Sequence, residues 1–256
     1  MSRSGGACDD GQVTENPATI KAEDEVATLC SDLIRIDTTN RGDHSGPGER
    51  KAAEHVAALL AEVGLDAKIY ESHPGRASVA ARVEGTDPSR PALLIHGHLD
   101  VVPADPADWQ VHPFSGEIKD GEVWGRGAVD MKDMDAMTLA VIRQRLREGR
   151  RPPRDVVLTF LADEEAGGVW GAGYLADNHR DLFEGVTEAI GEVGGFSLSV
   201  GDRRLYAVQT AEKGMAWLRL TLRGAAGHGS MLTPPTSSPN SPKRSRGSAA
   251  TSGRPG

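Results

Sequence analysis

Cysteine is almost missing from this chain. Cys8 lies in a polar N-terminal stretch and Cys30 on the apolar face of an expected helix, so no disulfide framework is expected and a reducing compartment fits. Long apolar runs are missing too. Met1 to Ala18 holds no apolar core of the length a secretory signal needs, and nothing downstream approaches a membrane span. Positive charge falls short of negative, with 29 Lys and Arg against 37 Asp and Glu for a net charge of -8. That balance argues against nucleic acid or an anionic membrane as a partner. It also understates the acidity, because the stretch after Leu232 carries Lys243, Arg244, Arg246 and Arg254 and no acid. These shortages describe a cytoplasmic protein of one large domain or two smaller ones.

What is present is an alternation of helical and strand patterns. Residues 1–20 are polar and read as a loose tail. Val26, Leu29, Cys30, Leu33 and Ile34 recur at three and four, predicting a helix over 23–36 with Glu23, Asp24 and Glu25 at the positive end of its dipole. Ala52, Ala53, Val56, Leu59, Leu60 and Val63 predict a second helix over 49–63, stopped by Gly64. Short strands follow at 67–70 and 78–83, then a continuous apolar run at 92–95 of the kind buried on both faces. A hairpin over 117–124 turns at Asp120-Gly121. Next come a helix over 131–147, a second wholly apolar strand at 156–162, a helix over 170–178, and strands at 188–190 and 205–210. This order predicts an α/β fold, a mainly parallel mixed sheet with helices on both faces, spanning residues 21–213. From Met215, Ala216, Leu218, Leu220 and Leu222 alternate with polar residues as the first strand of a truncated α+β domain over 214–231. Residues 232–256 collapse to Pro, Ser, Thr, Gly and Arg and cannot bury enough surface to fold.

The residues able to do chemistry stand at the ends of the apolar runs. His98 and Asp100 follow the run ending at Ile95, Glu164 and Glu165 the run ending at Ala162, and Glu192 the strand ending at Ile190. Asp130 sits between a Gly-rich turn and an expected helix. Open α/β sheets bind ligands beyond the carboxyl ends of their strands, so separate segments deliver polar residues to one edge. One imidazole among several carboxylates is a donor set for a hydrolytic metal site, where a water of lowered pKa needs a base to take its proton. Asp100, two residues beyond His98 in an extended segment, projects to the same side and can fix the imidazole tautomer. Asp130 can bridge two ions. Glu164 and Glu165 are adjacent and diverge, so one can bind metal while the other holds the water.

Four segments occur in a telling order and spacing: His96-Gly97-His98-Leu99-Asp100-Val101-Val102-Pro103, Gly125-Arg126-Gly127-Ala128-Val129-Asp130-Met131-Lys132, Asp163-Glu164-Glu165 and Gly191-Glu192-Val193-Gly194-Gly195. With them the chain resembles the co-catalytic zinc metallopeptidases that include aminoacylase, glutamate carboxypeptidase, acetylornithine deacetylase and succinyl-diaminopimelate desuccinylase, over roughly residues 24–231. The resemblance implies a zinc-dependent hydrolase of amide bonds in N-acyl amino acids or small peptides. It implies two zinc ions, with cobalt or manganese competing for similar ligands. His98 and Glu165 would bind zinc, as would Glu192 on the other ion, with Asp100 orienting His98 and Asp130 bridging. Glu164 would be the general base acting on a metal-bridging water. The peptide bond after Asp130 is often cis in such enzymes. His228, in Gly227-His228-Gly229, resembles the lid histidine that reaches a partner's active site and steadies an oxyanion. Full-length relatives are often homodimers, and the sequence leaves the state of this chain open. Nothing after Met231 resembles the family, whose members continue through the lid to a last histidine ligand. The end therefore reads as truncated or frameshifted, and the alternative function is an inactive remnant that binds metal weakly or not at all.

Overall fold

The computed structural model describes residues 20–43, 45–192 and 197–206. Two units divide the chain, residues 1–208 and 209–256. The second lies outside the described residues, and with it the expected strand from Met215 and His228. The helices are α1 (Ala22–Arg35), α2 (Arg50–Ala61), α3 (Lys132–Arg147) and the short α4 (Tyr174–Asn178). The strands in chain order are β1 (Ala67–His73), β2 (Arg76–Val83), β3 (Ala92–His98), β4 (Glu117–Lys119), β5 (Glu122–Trp124), β6 (Val156–Leu161), β7 (Val186–Ile190), β8 (Ser197–Val200) and β9 (Arg203–Tyr206).

The apolar stripe of α1 buries Leu29, Cys30, Leu33 and Ile34, and that of α2 buries Ala52, Ala53, Val56, Leu59 and Leu60. The C-terminal end of α1 meets an unusual partner. Lys132 is fully buried, and its Nζ donates to the carbonyls of Leu33 and Ile36 at 2.9 Å each. A cation there faces the negative end of the helix, although burial pushes its pKa down to about 8.

Five strands make one mixed open sheet in the order β1-β2-β6-β3-β7. β1, β2 and β6 pair antiparallel, while β6-β3 and β3-β7 are parallel ladders. α1, α2 and α3 pack on one face, against Ala77, Val79, Ala81 and Val83 of β2 and Val156, Leu158 and Phe160 of β6. Strand alternation turns Arg82 to the other face, where it donates to the carbonyls of Leu182 and Glu184 in the stretch after α4. The hairpin β4–β5 turns at Asp120 and Gly121, both at positive φ, as a two-residue turn of this kind requires.

Two expectations shift. The helix expected over 170–178 opens as a π turn, Val169–Gly173, before α4 begins. In that turn Gly171 packs directly on the Ala162 backbone, leaving no room for a Cβ. The last strand expected over 205–210 is β9 at Arg203–Tyr206, paired with β8, and residues 207–210 lie outside the described residues. Among the described residues no helix is long and apolar enough to cross a membrane.

Candidate metal centre

Because β3 and β6 run in parallel with His98 opposite Leu161, the residues that follow them leave the sheet at the same edge. β7 joins with Ile190 opposite Ile95, which brings Glu192 to that edge as well. His98 is 2% exposed. Its Nε2 lies 3.0 Å from Asp130 Oδ1, 3.7 Å from Glu192 Oε2 and 3.8 Å from Glu164 Oε2. His98, Asp130 and Glu192 each offer a ligand atom within 4.8 Å of the others. The Asp130–Met131 peptide bond is cis, as the family resemblance led one to expect.

Asp163 leaves β6 in the left-handed region, at φ 65, and opens a 3-10 turn over Glu164–Ala166. The backbone N–H groups of Glu164 and Glu165 donate to Asp100 Oδ1 and Oδ2 at 3.0 and 3.1 Å. Asp100 is fully buried, and its Oδ2 also accepts from Asn40 Nδ2 at 2.8 Å. The nearest acceptor to His98 Nδ1 is the backbone carbonyl of Asp100 at 2.9 Å, with the carboxylate at 3.5 Å. The main chain of Asp100 thus fixes the ring, and its carboxylate holds the glutamate turn.

The electrostatics are those of a cluster short of positive charge. Burial acts to lower the His98 pKa, but the hydrogen bond and charge of Asp100, with Glu164 and Asp135 nearby, carry it up to about 10. Burial lifts Glu165 to about 7, helped by the charge of Asp130. Burial also raises Glu192, and a hydrogen bond shared with Asp130 raises it further. Carboxylates crowded together resist ionising, and an imidazole among them is driven to imidazolium. Glu165 Oε1 is buried without a hydrogen-bond partner among the described residues. It stands outside the three-residue ligand set, whose members His98 and Asp130 nonetheless perturb it. One imidazole nitrogen, several carboxylate oxygens and an unsatisfied buried oxygen suit a divalent cation of the zinc type.

Sequence motifs missed two supporting residues. Asp135 is fully buried, and its carboxyl lies against Gly97 where a Cβ would stand, which is why glycine separates His96 from His98. Burial raises the Asp135 pKa well above the usual carboxylate range. Asn40 is the other, and no local pattern marks it. His96 turns its ring to the Gly191 backbone instead of the cluster.

The stretch of chain that carries these residues is similar to known proteins. The profile of Peptidase family M20/M25/M40 matches residues 94–233. Aminoacylase-1 of Sus scrofa is 31% identical over 214 residues, which is 82% of this chain and 50% of that protein. A probable succinyl-diaminopimelate desuccinylase of Staphylococcus epidermidis is 32% identical over 215 residues, 83% of this chain and 48% of that protein. The chain spans about half the length of the curated relatives it matches. The crystal structure of human carnosine dipeptidase 1 superposes with a TM-score of 0.57 at 22% identity, over 66% of this chain and 38% of that one, which speaks for the fold alone.

Proposed function

The chain belongs to peptidase family M20/M25/M40, and from that membership we propose that it hydrolyses amide bonds in N-acyl amino acids or small peptides. The observation that supports this reading is the convergence of His98, Asp130, Glu164 and Glu192 where β3, β6 and β7 end. His98, Asp130, Glu165 and Glu192 would hold two divalent ions, zinc fitting the donor set and cobalt or manganese competing for it. Bound there, such ions polarise a carbonyl and bring the pKa of a water toward neutrality. Asp100 keeps the His98 ring and the glutamate turn in place. Glu164, with its side chain 52% exposed, takes a proton from the attacking water at a carboxylate oxygen. As the new C–O bond forms and the C–N bond breaks, Glu164 delivers that proton to the leaving amine. Residues 21–213 would carry this chemistry, and residues 214–231, with His228, would open a lid and dimerisation domain.

Replacing Glu164 tests the assignment. In Glu164→Gln, turnover of an N-acyl amino acid should fall by at least about 100-fold while metal content stays unchanged. Metal lost together with activity would make Glu164 a ligand instead of the base. Metal analysis of the wild-type chain separates the enzyme, near two ions per chain, from an inactive remnant, near none.

A further inference from the structure

Asn40 belongs to no sequence motif, yet two segments that carry the candidate ligands meet on its side chain. Residues 38–40 run beside residues 99–101. Thr38 Oγ1 donates to the Leu99 carbonyl at 2.6 Å, and the Asn40 N–H to the Val101 carbonyl at 2.8 Å. This holds Asn40, 2% exposed, beneath the cluster's supporting carboxylates. Its Nδ2 donates to Asp100 Oδ2 at 2.8 Å and to Asp163 Oδ1 at 3.3 Å. Its Oδ1 accepts from Arg76 Nη2 at 3.2 Å and from the Gly42 N–H at 3.1 Å. An asparagine amide has two donor hydrogens and two acceptor lone pairs, and all four are engaged.

The orientation of that amide follows from its neighbours. Arg76, on β2, is buried and ion-paired with the fully buried Glu49. A guanidinium can only donate and an ionised carboxylate can only accept, so the amide oxygen must face Arg76 and the NH2 group must face Asp100 and Asp163. Asp100 in turn holds the Glu164 and Glu165 amides, and Asp163 Oδ2 accepts from the Trp170 N–H at 3.0 Å. We infer that Asn40 is a positioning residue whose amide, oriented by the Arg76–Glu49 pair, sets the separation between the His98–Asp100 segment and the Asp163–Glu165 turn, and so the spacing of the metal ligands they carry. The inference rests on the reading of this cluster as a metal centre. It assigns the ligand spacing to a neutral bridge between two buried carboxylates that would otherwise repel.

Two variants of the full 256-residue chain test it. Asn40→Asp keeps the shape and acceptor but sets a third carboxylate against Asp100 and Asp163. Asn40→Ala removes all four contacts. In the metal-free chain, hydrogen exchange at the Glu164 and Glu165 amides should accelerate in both variants while β6 amides stay protected. Zinc affinity, read by competition with a chromogenic chelator, should weaken by about 10–100-fold, and the visible spectrum of the cobalt-loaded chain should change. Zinc affinity equal to wild type in both variants, with or without altered exchange, overturns the inference. So does loss of far-ultraviolet dichroism in both, which would assign Asn40 to the fold as a whole. A wild-type chain that takes up no zinc would sink the metal reading alone. Exchange at the two amides would then still decide whether Asn40 positions the turn.

Discussion

β6 and β7 flank the same strand, both parallel to β3, and differ in almost everything else. Every residue of β6 is buried, whereas β7 has none buried and exposes Thr187 through Ile190, the last by 49%. β6 has a strand on either side and helices over one face, while β7 stands at the edge of the sheet. The parallel ladder is common to both, so burial comes from flanking strands and covering helices, not from the ladder. Composition tracks the difference: Val-Val-Leu-Thr-Phe-Leu is a run for two covered faces, and Val-Thr-Glu-Ala-Ile is not. The candidate metal centre straddles the contrast, taking Glu164 and Glu165 from beyond β6 and Glu192 from beyond β7.

The largest effect should come from the buried side. Phe160→Ala should cost about 3–5 kcal/mol in urea unfolding, and a loss under about 1 kcal/mol would deny that the sheet centre carries the stability. Metal should narrow the contrast next. Zinc at about 100 times its Kd should add about 2.7 kcal/mol and slow hydrogen exchange in β7, because Glu192 would tie that strand to His98. Without metal, Glu165 and His98 should respond to pH in one direction. Glu165, raised from 4.5 to about 7, contributes stability below pH 4.5 that is lost as pH rises through about 7. His98, raised from 6.5 to about 10, contributes below pH 6.5 and loses its contribution as pH rises through about 10. The thermal midpoint in chelator should therefore fall from pH 5 to 8, while the gain from zinc grows; above about 8 the depressed pKa of Lys132 works the other way. A midpoint that climbs over that window would contradict the charge-starved cluster. Smallest of all, Ile190→Thr should change stability by no more than about 0.5 kcal/mol. A cost approaching that of Phe160→Ala would mean that something covers β7 in solution.

Local pattern made much of this legible. The continuous apolar runs marked β3 and β6, three-and-four recurrence marked α1 and α2, the polar residues past the strand runs singled out His98, Glu164 and Glu192 as candidates, and the Gly-rich turn before α3 singled out Asp130. The rest depends on contacts distant along the chain. Asn40 reaches Asp100 across 60 residues and Asp163 across 123, separations to which periodicity is blind. The division of labour within Asp100, main chain to the imidazole and carboxylate to the glutamate amides, follows from how the Asp163 turn docks. β8 alternates Leu198 and Val200 with serines, but over only four residues and with both side chains exposed, too short a pattern to announce a strand.

Asp100 grips consecutive peptide groups with its two oxygens, one for Glu164 and one for Glu165. The two acids therefore travel as a single piece, and neither can be repositioned without dragging its neighbour. Exchanging the side chains of Glu164 and Glu165 leaves the clasp intact, because they enter it only through their main-chain N–H groups. Inserting or deleting one residue between Ala162 and Ala166 would unseat both at once. Acidity at this corner is open to adjustment by substitution, whereas its chain length is not.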